Sequence, residues 1–496
     1  MKPLLHALGR GAVALAVALL TACASTRPWV NLPLDASAPV QPVPALEPML
    51  PVQADARLPS VVAAVALSGG GARAAAFGLG VIEEMKATRL RIGGRSTTLL
   101  DEVGLISGVS GGSVLATYYA AFGDEVFTRF EAEFLQADFQ RGLVGQLLSP
   151  AGLYRLSSPW YGRSNVLAQR LDSLYRGLSF GDLAARRGGP RLLVTATDLT
   201  TGAPFEFTPE QFALICSGLD RVPLSFAVAA SSAVPVLLSP LTLRNHAGSC
   251  RQPAPRAQPA PASDNLSAQL LRMVASSYQD ARQRPFLHLV DGGLVDNLGV
   301  RGLLERIVAG GPLRHSFAHL PPRSVHRVVL VSVNSERDLG DRLDDSDRVP
   351  TIAQVLDALV FGAGSRATAE TSAMVLATAR RLAAELEAER GSDGSPFAAD
   401  AELHVVSVRL RDMPDDGARD ELLQVPTAFS ILPLQVRQLR EAGRRTLRES
   451  PEYQQLLRSL RQADDEAPVQ AGLADAAGAL PGPAEADGAR GLRQGR

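Results

Sequence analysis

Two stretches of this chain share one construction: a short, unbroken apolar run, an abrupt glycine-rich turn, then an apolar helix-forming segment. "VVAAVAL" (residues 61–67) ends in "SGGGAR" and continues as an alanine-rich stretch to about Lys86; "VGLIS" (103–107) ends in "GVSGGS" and continues as "VLATYYAAF". A strand that is apolar at every position, rather than at every second one, is covered on both faces. That is the condition of a mainly parallel sheet with helices packed on each side. "RLLVTATD" (191–198), "FLHLV" (286–290), "HRVVLVSV" (326–333) and "LHVVSVRL" (403–410) are further runs of this kind, separated by helical stretches. The pattern predicts an α/β fold in three layers, a mainly parallel central sheet flanked by helices.

The first 22 residues stand outside that pattern. Lys2 and Arg10 make a positive start, and "GAVALAVALL" is a ten-residue apolar core, half of the roughly 20 residues a membrane span needs. The following "LTACAS" resembles the lipobox of bacterial lipoproteins, which implies cleavage before Cys23 and lipidation of that cysteine. Ala24 stands where an aspartate would imply inner-membrane retention, so the resemblance implies an outer-membrane anchor, on the periplasmic or the cell-surface face. Residues 23–59 are proline-rich and read as a tether. The catalytic domain is expected over residues 60–340, interrupted by a proline-alanine surface loop at 251–263. Residues 341–450 are expected to form a mainly helical region with one strand, packed on that domain, with a helix over about 433–448. Residues 451–496, rich in Ala, Gly and Pro beyond Glu466, read as a disordered tail.

A formal net charge of −1 gives no global field that would draw the chain to nucleic acid or to an anionic membrane. With Cys23 set aside, Cys216 and Cys250 remain, and export to an oxidising compartment makes a disulfide the expected state, buried free thiols being the alternative. Neither has metal-ligand spacing to a histidine or to a second cysteine, and no metal or cofactor is indicated.

Ser110 lies in Gly108-Val109-Ser110-Gly111-Gly112, the G-x-S-x-G pattern of a nucleophile elbow. There a strained strand-to-helix turn displays the hydroxyl and tolerates only small neighbours. The "SGGGAR" turn presents consecutive backbone N–H groups in a concave array. Gly69, Gly71 and Ala74 also fit a dinucleotide fingerprint, but that reading wants an acidic residue ending the next strand. Asp101 instead precedes its strand. An oxyanion hole is the better reading. Asp291 closes the run "FLHLV" and is followed by two glycines; alone this is a turn signal, raised in interest by its place at a strand end. Asn297 reads as the N-cap of the next helix.

A serine nucleophile needs a proton acceptor. His6 goes with the signal peptide, and His246, His315, His319, His326 and His404 carry no local signal. His288 is three residues before Asp291, and residues three apart in a strand point to opposite faces, so the two cannot easily both reach Ser110. An order of Ser110, Asp291 and then His315, His319 or His326 would still suit an α/β-hydrolase triad.

Gly69-Gly70-Gly71-Ala72-Arg73, the Ser110 pentapeptide and Asp291-Gly292-Gly293 together resemble the three blocks of the patatin-like phospholipases, in the family's order. "TATDLTTG" (195–202) and "AASSAVPVLLSP" (229–240) are similar to further family segments, and Ala74 replaces the family's last block glycine. The resemblance spans residues 60 to 305. It implies a serine acyl hydrolase of phospholipids or related lipids working through a Ser-Asp dyad. Ser110 would be the nucleophile and Asp291 the base, with an oxyanion hole at Gly69, Gly70 and Gly71 and with Arg73 steadying the loop. The alternatives are a Ser-His-Asp esterase and a membrane-anchored scaffold without activity.

Overall fold

The computed structural model describes residues 26–34, 60–92, 94–186, 188–250, 266–337, 347–358 and 363–462. The signal peptide, Cys23, the proline-alanine loop at 251–263, and most of the tether and tail lie outside the described residues.

One eight-stranded sheet organises the chain. Its path runs β10 (Phe397–Arg409), β9 (Val325–Asn334), β1 (Ser60–Leu67), β4 (Val103–Gly108), β5 (Arg191–Asp198), β8 (Phe286–Val290), β7 (Leu241–Arg244), with β6 (Pro204–Glu206) also on β5. The first five are mutually parallel; β6 and β8 run antiparallel to β5, and β7 antiparallel to β8, so the sheet is mainly parallel with its antiparallel pairings at one margin. β2 (Arg89–Ile92) and β3 (Arg95–Thr98) form a separate hairpin. β1, β4, β5 and β9 are buried on both faces over most of their length, as their unbroken apolar sequences require, whereas edge strand β10 alternates buried and exposed residues.

Helix α1 (Gly71–Ala87) follows β1, and α2 (Gly111–Phe122) follows β4. Nearly every residue of α1 is buried, because a second helix, α6 (Pro433–Glu449), covers the side turned away from the sheet. The composition "GARAAAFGLG" is what such a position demands. A Cβ on Gly80 would run into the Arg440 carbonyl, and one on Gly443 into the Phe77 carbonyl. Arg440 pairs with Glu83 and Arg448 with Glu84, fixing the crossing. The region beyond residue 340 is therefore continuous with the α/β fold: it supplies edge strand β10 and the outer cover of α1. Between them lies α5 (Ala363–Glu389), packed along β10.

Three expectations are corrected. Residues 26–34, read as tether, are docked on the domain. Asn31 is buried, donating to Ser217 Oγ and the Arg244 carbonyl and accepting the Arg244 N–H at 2.7 Å, and the Leu34 N–H reaches the Cys216 carbonyl. Residues 451–462, read as tail, are helical. Tyr453, Leu456, Leu457 and Leu460 recur at i, i+3, i+4 and i+7 and bury one stripe against the core. Asn297 is not an N-cap: the helix α4 (Arg301–Ala309) starts later, and Asp296 takes the N–H groups of Gly299 (3.0 Å) and Arg301 (2.7 Å). The disulfide expectation holds: Cys216 and Cys250 are joined, with Cα atoms 5.6 Å apart.

Candidate active site

β5 acts as the ruler of the site. Gly108, the last residue of β4, pairs with Val194, halfway along β5. β8 arrives from the opposite direction on β5's other edge and ends with Val290 opposite Thr197. Two strands running toward each other thus stop within three residues of the same level. The residues just past their ends, Ser110 and Asp291, meet. The Ser110 hydroxyl donates to Asp291 Oδ2 at 2.9 Å, and both side chains are buried.

Each partner is held by its own backbone. Ser110 has φ 48° and ψ −123°, a conformation L-residues avoid, and its N–H donates to Ser231 Oγ at 2.8 Å. Ser231, from helix α3 (Leu224–Ser231), passes its own hydrogen to the Thr195 carbonyl at 2.6 Å. Small residues around the elbow are obligatory: a Cβ on Gly111 would overlap the Gly71 carbonyl, and one on Gly112 the Leu67 carbonyl. Asp291 receives the Gly293 N–H on Oδ1 at 2.7 Å, its own N–H donates to the Ala233 carbonyl, and Thr197 Oγ1 donates to its carbonyl. Oδ2 is left to face the serine. Burial pushes the Asp291 carboxyl up to about 6, against the opposing effect of the bonds from Gly293 and Ser110.

The glycine turn lies beside Ser110, next to β4 at the end of β1. Gly69 donates its N–H to the Asn297 carbonyl and Ala72 to the Ala428 carbonyl, which leaves the N–H groups of Gly70 and Gly71 with no acceptor among the described residues. Gly70 at φ 138° and Gly71 at φ 59° occupy backbone conformations that favour glycine. Arg73 is only 3% exposed; Nε donates to the Ser335 carbonyl at 2.9 Å and Nη1 to the Val425 carbonyl at 2.6 Å. Burial, with Arg337 adding to it, pushes its guanidinium down to about 9. Arg73 thus ties the glycine turn to the segments after β9 and before α6.

Ser110, Asp291, Gly69, Gly70 and Arg73 line a cavity of about 530 Å³, closed on other sides by Val234, Asn297, Thr427 and α5. Among the described residues no histidine lines it. His288 instead faces Thr242, 3.0 Å away. Among the described residues no cluster of His, Cys, Asp and Glu suits a metal ion. Ser231, Thr197 and Asn297 have site roles that their sequence context does not announce. "AASSAVPVLLSP" marks the Ser231 segment without saying which serine matters.

A family model described as Patatin-like phospholipase matches residues 65–304. No curated protein matches the chain. Among solved structures, human GIVD cytosolic phospholipase A2 is similar at 15% identity and a TM-score of 0.43, over 85% of this chain and 65% of that one. The same human protein in complex with methyl gamma-linolenyl fluorophosphonate is 13% identical at a TM-score of 0.39, over 84% of this chain and 61% of that one. VipD from Legionella pneumophila is 13% identical at 0.30, over 81% and 67%. The chain thus spans under two thirds of the length of the human structures.

Proposed function

Because residues 65–304 form a patatin-like phospholipase domain, we propose that the chain is a lipid acyl hydrolase that cleaves acyl esters of phospholipids through Ser110 and Asp291, without histidine. The observation that carries this reading is the 2.9 Å hydrogen bond from the Ser110 hydroxyl to Asp291 Oδ2 inside a cavity lined by no histidine. Ser110 Oγ attacks the acyl carbonyl while its proton passes to Asp291 Oδ2. A carboxylate of ordinary pKa, about 3.9, is a poor base for a hydroxyl; one raised to about 6 is closer to the working range. The oxyanion of the tetrahedral intermediate is received by the unpaired N–H groups of Gly70 and Gly71, a kind of donor worth about 2.7–4 kcal/mol each. Asp291 then returns the proton to the departing alcohol, and water, activated by the same carboxylate, releases the fatty acid from Ser110. Arg73 serves by position, holding the turn that carries those donors.

The lipobox at Cys23 supports a second element of the reading: an outer-membrane lipoprotein that works on lipid beside its own anchor. Fluorophosphonate labelling followed by peptide mass analysis tests the nucleophile. Labelling at Ser110 that is abolished in Ser110→Ala supports the assignment, and labelling elsewhere sinks it.

A further inference from the structure

The described N-terminal segment, which begins at Thr26, is docked on one face of the domain. The Thr26 carbonyl accepts the Ser158 hydroxyl at 2.8 Å, and the Arg27 guanidinium lies 3.5 Å from the Trp160 ring centroid. Cys23, the residue of the lipobox resemblance, precedes Thr26 by three residues in the sequence.

The surface around this point has the composition of a membrane interface. Leu148 (66% exposed), Leu153, Tyr154, Trp160 (47%), Val236 and Leu237 (64%) are all exposed, where a soluble surface would scatter such residues singly. Arg27, Arg155 and Arg163 are exposed among them, and none pairs with a carboxylate among the described residues. Amphipathic aromatics, aliphatic side chains and unneutralised arginines together suit an anionic lipid surface. The patch adjoins the cavity through one loop. Val234 is in the cavity wall, and the same loop carries Val236 and Leu237 outward, pinned where Arg163 Nη2 donates to the Val236 carbonyl.

We propose that this face, centred on Trp160 and adjoining the cavity through the loop of Val234, docks on an anionic phospholipid bilayer and is oriented there by the lipid on Cys23. The orientation rests on the lipoprotein reading; the surface itself does not. Acyl chains of the substrate then reach Ser110 without crossing open water.

Trp29 and Trp160 are the only tryptophans, which gives a direct readout. The full chain, with Trp29→Phe so that Trp160 reports alone, is mixed with phosphatidylglycerol–phosphatidylethanolamine vesicles carrying brominated acyl chains, and its mass is measured for the lipid on Cys23. Quenching of Trp160, stronger than with phosphatidylcholine vesicles and reduced by salt, is the expected result. In the Leu148→Ser/Leu153→Ser variant, vesicle binding should weaken at least about tenfold while hydrolysis of a soluble short-chain ester is unchanged. Quenching with no lipid found on Cys23 upholds the surface and removes the anchor's part in it. An unquenched Trp160 overturns the proposal, whether or not the lipid is present. So does a stable dimer that shields Trp160 from iodide before vesicles are added, since a second copy would then be the occupant.

Discussion

Ser110 gives its hydroxyl hydrogen to an Asp291 carboxylate that is buried and whose other oxygen is already bound to the Gly293 N–H. A base held this way is expensive for the fold. Its pKa is raised from 3.8 to about 6, so the folded state binds the proton more tightly than the unfolded chain does. Stability contributed by the protonated form is therefore full below pH 3.8 and is lost as pH rises through 6. Asp291→Asn removes that cost. The variant should be inactive yet more stable than wild type at about pH 7–8 by about 3 kcal/mol at most, with the difference closing below about pH 4. Thermal melts of the two proteins across that range check this. A variant destabilised at the alkaline end would mean that the carboxylate is paired favourably in a way these contacts do not show.

The same carboxylate sets the pH profile. In the proposed mechanism only ionised Asp291 accepts the serine proton, so kcat/KM on a soluble ester should fall about tenfold per pH unit below about 6. Above it the rate should be flat through neutrality. His288→Ala, which removes the histidine nearest in sequence to Asp291, should leave both the rate and the profile unchanged. A second ionisation near about 6.5–7 that disappears in a histidine variant would restore the Ser-His-Asp alternative.

Ser110 occupies a left-handed backbone position, φ 48°, that costs a non-glycine residue roughly 1–3 kcal/mol. Ser110→Gly should therefore raise the melting temperature while abolishing hydrolysis, and Ser110→Ala should abolish hydrolysis without the gain. Equal melting temperatures for the two variants would show that the elbow stores no strain.

Ser231 connects the Ser110 N–H to the Thr195 carbonyl. Ser231→Ala leaves both groups buried and unpaired, a loss of about 1–3 kcal/mol, and frees the elbow to shift. Because Ser231 positions the nucleophile and does not touch the cavity's ligand-facing wall, kcat should drop by roughly 10–100-fold with little change in KM. A rise in KM with kcat intact would place its role in substrate binding instead.

Legibility in the sequence divides along a physical line. Continuous apolar runs such as 61–67 and 326–333 report burial on both faces, so the parallel core is legible from residue order alone. Ser110 and Gly69 to Gly71 are legible because a strained turn excludes all but a few residue types. The antiparallel direction of β8 is not, although it brings Asp291 to Ser110: direction depends on which edge of β5 a strand meets, and "FLHLV" carries no mark of that. Residues 26–34 mislead for a related reason. Proline content predicts an extended chain, but the buried amide of Asn31 binds this one to the domain through partners more than 180 residues away. In the last helix, the stripe of Tyr453, Leu456, Leu457 and Leu460 is present in the sequence but is outweighed by the Ala-, Gly- and Pro-rich composition beyond Glu466.

Arg73 ties these two kinds of information together. Its place in the glycine block is legible, but its partners, the carbonyls of Ser335 and Val425, lie 262 and 352 residues away. The Val425 contact lies three residues before Ala428, whose carbonyl receives the Ala72 N–H and packs over Gly71. Arg73→Lys keeps the charge but replaces a fork that spans two segments with a single flexible ammonium. If the oxyanion donors depend on that span, Arg73→Lys should lower kcat by about tenfold or more on a soluble ester while fluorophosphonate still labels Ser110. It should also leave buried carbonyls unpaired, with a loss of stability of about 1–3 kcal/mol. Unchanged kcat in a measurably destabilised Arg73→Lys protein would reduce Arg73 to a structural tie and move the positioning of Gly70 and Gly71 to the Ala428 contact.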